Sequence, residues 1–187
     1  RGTKFLNRLI QANFLAGRPD TTMILIESAL GTVHPEAVSF NDLLELRDFI
    51  QQHYLSGSSE DQKAFELFLS SEFLIRQKKL SESAETLHYL QEQHPNASIL
   101  PQAILREALI RKTLNQIPDA LLLAERLTQT QDADIGWVLY GEILEKSENK
   151  PQKALDYYYK VLEEFPASLL CEPLRFHMRE LNKKVKS

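Results

Sequence analysis

Between Trp137 and Pro166 the chain carries a set of spaced residues that leaves little freedom for the fold. Trp137-x2-Tyr140-Gly141-x2-Leu144 puts two rings, a glycine and a leucine on one helix face, because residues three and four apart are neighbours there. Ala154-x3-Tyr158 repeats the device on a second helix. Pro166 then ends that helix, since it has no N–H to donate and disfavours helix in the residue before it. Small residues open a gap between two antiparallel helices and large rings fill it. The spacing therefore predicts a helical hairpin turning over Lys146 to Gln152.

Weaker copies of the pattern precede it. Leu67-x2-Ser70-Ser71-x2-Leu74 has serines at the places of Tyr140 and Gly141, and Ser83, Leu87, Leu90 and Pro95 follow in the packing and stopping positions. A further pair, about 98–114 and 118–128, has Ala108, Ala120 and Ala124 as its small residues and lacks the closing proline. Ser83, Ala120 and Ala154 are 37 and 34 residues apart.

This arrangement resembles the tetratricopeptide (TPR) repeat, a 34-residue helix-turn-helix unit with the pattern W-x2-L-G-x2-Y…A-x3-F…P. The resemblance covers roughly Phe65 to Leu181, and Gly141 to Ala154 is one residue longer than the usual spacing. It implies an all-α chain of about ten helices, stacked as antiparallel hairpins in a TPR-like α-solenoid. The implied function is noncatalytic: a protein–protein interaction scaffold or adaptor that holds a peptide or helix in a concave groove.

In such repeats the first helix of each pair lines the groove. The residues this assigns to a ligand are Phe65, Phe68, Glu72, Ile75 and Arg76, then Leu105, Leu109 and Lys112, then Ile135, Val138, Glu142 and Lys146. Some TPR proteins clamp a peptide carboxylate with Lys, Asn and Arg, but Phe68, Glu72, Leu109 and Glu142 occupy the corresponding places here. An apolar peptide fits that lining better. The plainer alternative is that several of these side chains pack against neighbouring helices.

The first 57 residues share only the hairpin style. Helical stripes run from Thr3 to Ala16 and over Met23 to Leu30, with Gly17-Arg18-Pro19 between them, and a third runs from Phe40 to Tyr54. The expected organisation is a degenerate N-terminal region, 1–57, continuous with repeats over 58–187. A last helix from Ser168 to Lys183 serves as the cap that stacked repeats need. The junction Phe165-Pro166-Ala167-Ser168, followed by Arg175 to Leu181, also resembles the ends of some bacterial envelope-associated TPR chains. That implies a second function, an accessory or assembly region of a larger envelope-associated protein, and favours periplasm over cytoplasm. The start at Arg1, without Met or an apolar leader, is expected of a piece of a longer chain; the partners would then include an upstream region or a second copy.

Composition narrows the chemistry. A net charge of −4 argues against nucleic acid as the main partner, which would demand clustered Lys and Arg. No run of about 18 apolar residues is long enough to span a membrane. Cys171 is the single cysteine, so neither a disulfide nor a multi-cysteine metal site is expected. Of the five histidines only His88, with Glu92 four residues on, has ligand spacing, and two exposed ligands rarely hold zinc. Cys171 and His177 fall on nearly opposite helix faces, which predicts no nucleophilic pair. No cofactor loop and no catalytic set is expected. Tyr157, Tyr158 and Tyr159 point about 100° apart around a helix and cannot form one platform. Arg175, Arg179, Lys183, Lys184 and Lys186 read as cations placed at a helix C-terminus, with contact to an anionic partner as the alternative.

Overall fold

A computed structural model describes residues 2–186, with side chains over 5–183. The side chains of Lys184 and Lys186 in the basic tail lie outside the described residues. The described chain is all-α, with ten α-helices and no strand. They are α1 (Gly2–Leu15), α2 (Pro19–Leu30), α3 (Val38–Ile50), α4 (Ser59–Arg76), α5 (Leu80–Gln93), α6 (Leu100–Thr113), α7 (Ile117–Leu127), α8 (Ala133–Lys146), α9 (Pro151–Glu164) and α10 (Cys171–Lys186). After α3 the backbone widens into a π-helical turn over Gln51–Leu55.

Four of the connections reuse one turn. Gly17, Lys78, Asn115 and Asn149 have φ of 69°, 62°, 60° and 52°, and each stands two residues before the next helix. In the first three, the left-handed residue donates its N–H to the carbonyl three residues back (Phe14, Ile75, Lys112). The residue after it donates five back (Asn13, Leu74, Arg111), which caps the orphan carbonyls of the helix end. The fourth turn is looser: Glu148 reaches Ile143, and Lys150 reaches six back to Leu144. The extra residue between Gly141 and Ala154 is taken up there. A second connection also recurs. Ala97 N–H to His94 O and Leu100 N–H to Ala97 O reappear 71 residues on as Ser168 to Phe165 and Cys171 to Ser168.

The chain divides into two compact units, 1–103 and 104–187. In 1–103, α1 pairs with α2 and α4 with α5, while α1 also meets α4. The interior is aromatic: Phe65 lies 6.3 Å from Phe14, 5.5 Å from Phe49 and 5.6 Å from Tyr54 between ring centroids. Where α4 and α5 cross, both residues are small and buried, and the Ser83 hydroxyl donates to the Ser71 carbonyl at 3.1 Å.

In 104–187, α8 and α9 form the tightest hairpin. Gly141 lies against the Tyr158 ring, and a Cβ there would sit 2.5 Å from Cε1. Leu144, Ala154, Leu155, Tyr158 and Val161 make one core with Leu174, Met178 and Leu181 of α10. Trp137 stacks on Tyr157 at 5.7 Å, Tyr140 meets Tyr157 at 4.6 Å, and the Lys160 ammonium sits 3.8 Å above the Trp137 ring. Gly136 provides a second close approach: its Cβ would come within 2.7 Å of the Thr128 amide at the end of α7.

Candidate functional site

The helix α8 exposes Val138, Glu142 and Lys146 at i, i+4 and i+8, one stripe on the side turned toward α10. Together with Tyr158 of α9 and with Leu170, Pro173, Leu174 and His177, they line an open pocket of about 200 Å³. Its walls are mostly apolar. Pro173 in the first turn of α10 lacks a donor that the helix could not use anyway, so it serves as wall at no structural cost.

The rim is ionic. Lys146 Nζ lies 2.6 Å and Lys112 Nζ 3.4 Å from the same oxygen, Oε1 of Glu142. Burial works to raise the Glu142 carboxyl, but the hydrogen bond from Lys146 and the charge of Lys112 outweigh it and leave it below the ordinary carboxylate range. The hydrogen bond to Glu142 in turn raises the Lys146 ammonium. Glu142 and Lys146 therefore stay charged at neutral pH, and one carboxylate holds two long side chains at the rim.

Behind the pocket a second polar set fixes the ring that forms its floor. Glu145 Oε2 accepts from the Tyr158 hydroxyl at 2.9 Å and lies 2.7 Å from His177 Nε2. Burial and the Glu145 carboxylate push the Tyr158 phenol far above its usual value, so it remains a donor. The His177 ring packs edge-on against Tyr158 at 5.6 Å. One carboxylate thus ties α8, α9 and α10 together.

Of the residues the sequence assigns to a groove, Val138, Glu142 and Lys146 share this pocket and Lys112 reaches its rim. Leu105, Leu109 and Ile135 are half-buried and are not among the pocket's walls. In the other unit, Glu72 and Ile75 are half-buried and Arg76 is exposed. Phe65 and Phe68 require correction as ligand contacts, because they are 0% and 6% exposed. Phe14 of α1 and Phe49 of α3 cover the face of α4 that the repeat pattern leaves open. The motif residues Trp137 and Tyr140 are half-buried, and Gly141, Leu144, Ala154 and Tyr158 are buried. Pro166, one residue past the C-cap of α9, is exposed.

Sequence reasoning missed Leu170, Pro173, Leu174, His177 and Glu145 as parts of a site. The available signal was the strong two-sidedness of the last helix, whose Leu174, Met178 and Leu181 recur at four- and three-residue spacing. A hollow of about 470 Å³ in 1–103, lined by Leu15, Ala16, Gly17, Ser70, Phe73 and Leu74, carries no titratable group. Cys171 is buried and donates to the Phe165 carbonyl. His88 pairs with Glu92 at 3.4 Å, and among the described residues no cluster of three His, Cys, Asp or Glu is placed to hold a metal ion. Nor is any described helix long and apolar enough to cross a membrane. Set against known proteins, the chain matches no family model, no curated protein and no solved structure.

Proposed function

We propose that this chain is a TPR-like interaction adaptor, and that the pocket between α8, α9 and α10 seats an apolar side chain of a peptide or helix. The observation that carries this reading is the pocket itself: apolar walls on a fixed floor, with charges of both signs at the rim. Glu142 and Lys146 offer an acceptor and a donor, which suits a polar peptide backbone lying over an apolar anchor. The recurring turns at Lys78, Asn115 and Asn149 support the repeat assignment. Because α8, α9 and α10 are pinned through Glu145, a ligand meets a formed site and little ordering opposes binding.

The test is a displayed peptide library selected on the immobilised chain. Enriched peptides should share one bulky apolar residue and should bind Val138→Glu and Leu170→Glu at least about tenfold more weakly, a loss of roughly 1.4 kcal/mol. Far-ultraviolet circular dichroism should stay unchanged, since both side chains are only half-buried. Failure to enrich any peptide, or enriched peptides indifferent to both substitutions, would remove the pocket from consideration.

A second reading has the helices serving assembly, against further residues of a larger protein or a second copy. Phe5 and Leu9, 70% and 38% exposed on α1, favour it. Light scattering at high concentration should then detect self-association that Phe5→Ser with Leu9→Ser abolishes, and a clean wild-type monomer would count against self-assembly.

A further inference from the structure

A polar junction in 1–103 gathers around His53. His53 sits in the π-helical turn, 2% exposed, with Nδ1 2.9 Å from the hydroxyl of Ser98 in the connection between α5 and α6. π-Turns inside helices are often found at functional positions. The Ser98 amide donates to Oδ1 of Asp61 at 2.7 Å, and its hydroxyl is within reach of the same carboxylate. Asp61 Oδ2 accepts from the backbone and the hydroxyl of Ser58, at 2.9 and 2.7 Å, as the cap of α4. Three segments therefore converge on one serine: the end of α3, the start of α4 and residues 94–99. On either side of it Ala97 and Ile99 are 4% and 0% exposed, so whatever holds Ser98 also keeps two apolar side chains inside.

We infer that His53 is an acid-released latch: its neutral ring holds Ser98 and the 94–99 connection in place, and a second ring proton lets that connection open. With the Ser98 hydroxyl proton directed at Asp61, the Nδ1–H of the neutral His53 ring donates to Ser98 Oγ, and the ring's second proton can be added only at Nε2. Adding a proton to Nε2 places a full charge at a site 2% exposed, beside the Phe49 ring at 4.9 Å. Burial opposes that charge, the nearby Asp61 carboxylate favours it, and burial wins, so the ring titrates below its ordinary value of 6.5. A group that binds its proton less well when folded stabilises the folded form above pH 6.5 and draws the chain toward the opened form as the pH falls below it. Asp61, held down to about 2 by the Ser98 and Ser58 donors, stays ionised through this range and cannot be the trigger. The other groups facing the junction are Glu60 with His94, 3.9 Å apart, and the Tyr54 phenol, pushed up by burial and by Asp20 and Glu66.

Amide hydrogen exchange of the full chain, corrected for intrinsic rates, tests the latch. Between pH 7.5 and 5.5, protection over 94–100 should fall, by no more than about tenfold, the ceiling that linkage to one ring of ordinary value 6.5 sets over this range, while protection in α9 holds. In His53→Gln, whose amide still donates to Ser98, the response should vanish; in His94→Gln it should persist. A response that survives His53→Gln, or a wild-type connection equally protected at both pH values, overturns the proposal. Should His53→Gln not fold, an NMR titration of the wild-type ring decides: a midpoint below 6.5 with a concerted shift of the Ser98 amide supports the latch, and a midpoint at or above 6.5 overturns it.

Discussion

A methyl group on Gly141 would lie 2.5 Å from Cε1 and 2.9 Å from Cδ1 of Tyr158, a ring 1% exposed and pinned through its hydroxyl to Glu145. The ring cannot swing aside without losing that bond. Gly141→Ala should therefore destabilise the chain by about 1–3 kcal/mol in urea unfolding, even though alanine gains about 1 kcal/mol in intrinsic helix propensity. The opposite sign is expected at Lys78 and Asn115, which hold φ near 60° at a cost that glycine avoids. Lys78→Gly should raise the unfolding midpoint, by roughly 0.5–1 kcal/mol once the extra freedom of glycine in the unfolded chain is counted. Gly141 and Ala154 were legible in the sequence because a missing side chain beside rings has a clear mechanical meaning. The turns at Lys78, Asn115 and Asn149 were not, because lysine gives no sign of a left-handed backbone and asparagine only a weak one. Phe65 and Phe68 misled for a different reason: helical spacing places a residue on a face but does not say which distant segment covers that face. Phe68→Glu is thus a core lesion, expected to cost several kcal/mol, and is unsuited to probing a ligand site.

Among the helices, α4 has the most completely built start. Ser58 and Asp61 form a reciprocal cap, each bonding the other's backbone amide, and Asp61 also receives the Ser98 amide. Hydrogen bonds from Ser98 and Ser58 hold its carboxyl at about 2 against an ordinary 3.8. Since the folded form holds this proton less tightly than the unfolded one, the contribution is complete above pH 4 and disappears as the pH falls toward 2. Asp61→Ala should cost about 1–2 kcal/mol at pH 7, and urea titrations of the variant and the wild type should converge near pH 2. A gap that stays constant with pH would mean that packing, not charge, sets the role of Asp61. In the sequence the start of α4 is marked by the Ser- and Gly-rich stretch from Leu55 to Ser59 and by Glu60 and Asp61 in the first turn, but the partner Ser98 is 37 residues from Asp61 and no local pattern announces it. The same holds for α10, expected only as a cap: its wall of the pocket follows from Glu145 drawing His177 onto α8.

At the scale of the molecule, the helical period was enough to give the all-α class and the number of helices, because each apolar stripe needs only three- and four-residue spacing to be visible. The division at 103/104 was not visible, since it falls inside α6, whose sequence shows no break there. Such a boundary invites the question of what each part needs to fold. The core shared by α8, α9 and α10 closes on itself through eight buried side chains from Leu144 to Leu181, and Glu145 bonds all three helices within it. Glu107 and Arg111, paired twice through guanidinium and carboxylate, belong to the same unit. A fragment that keeps α6 whole, from Ser98 to Ser187, should therefore fold alone. Trp137, the single tryptophan, is half-buried against Tyr157 and reports directly on this unit. The fragment should melt cooperatively, with Trp137 fluorescence and helical circular dichroism changing together. It should keep the pocket, so peptides selected on the full chain should bind it within about threefold, a difference of less than 1 kcal/mol. A fragment that is helical yet melts without cooperativity would place part of its stabilisation in residues 1–97. One that melts cooperatively but loses the peptides would show that the ligand contacts extend beyond α8, α9 and α10.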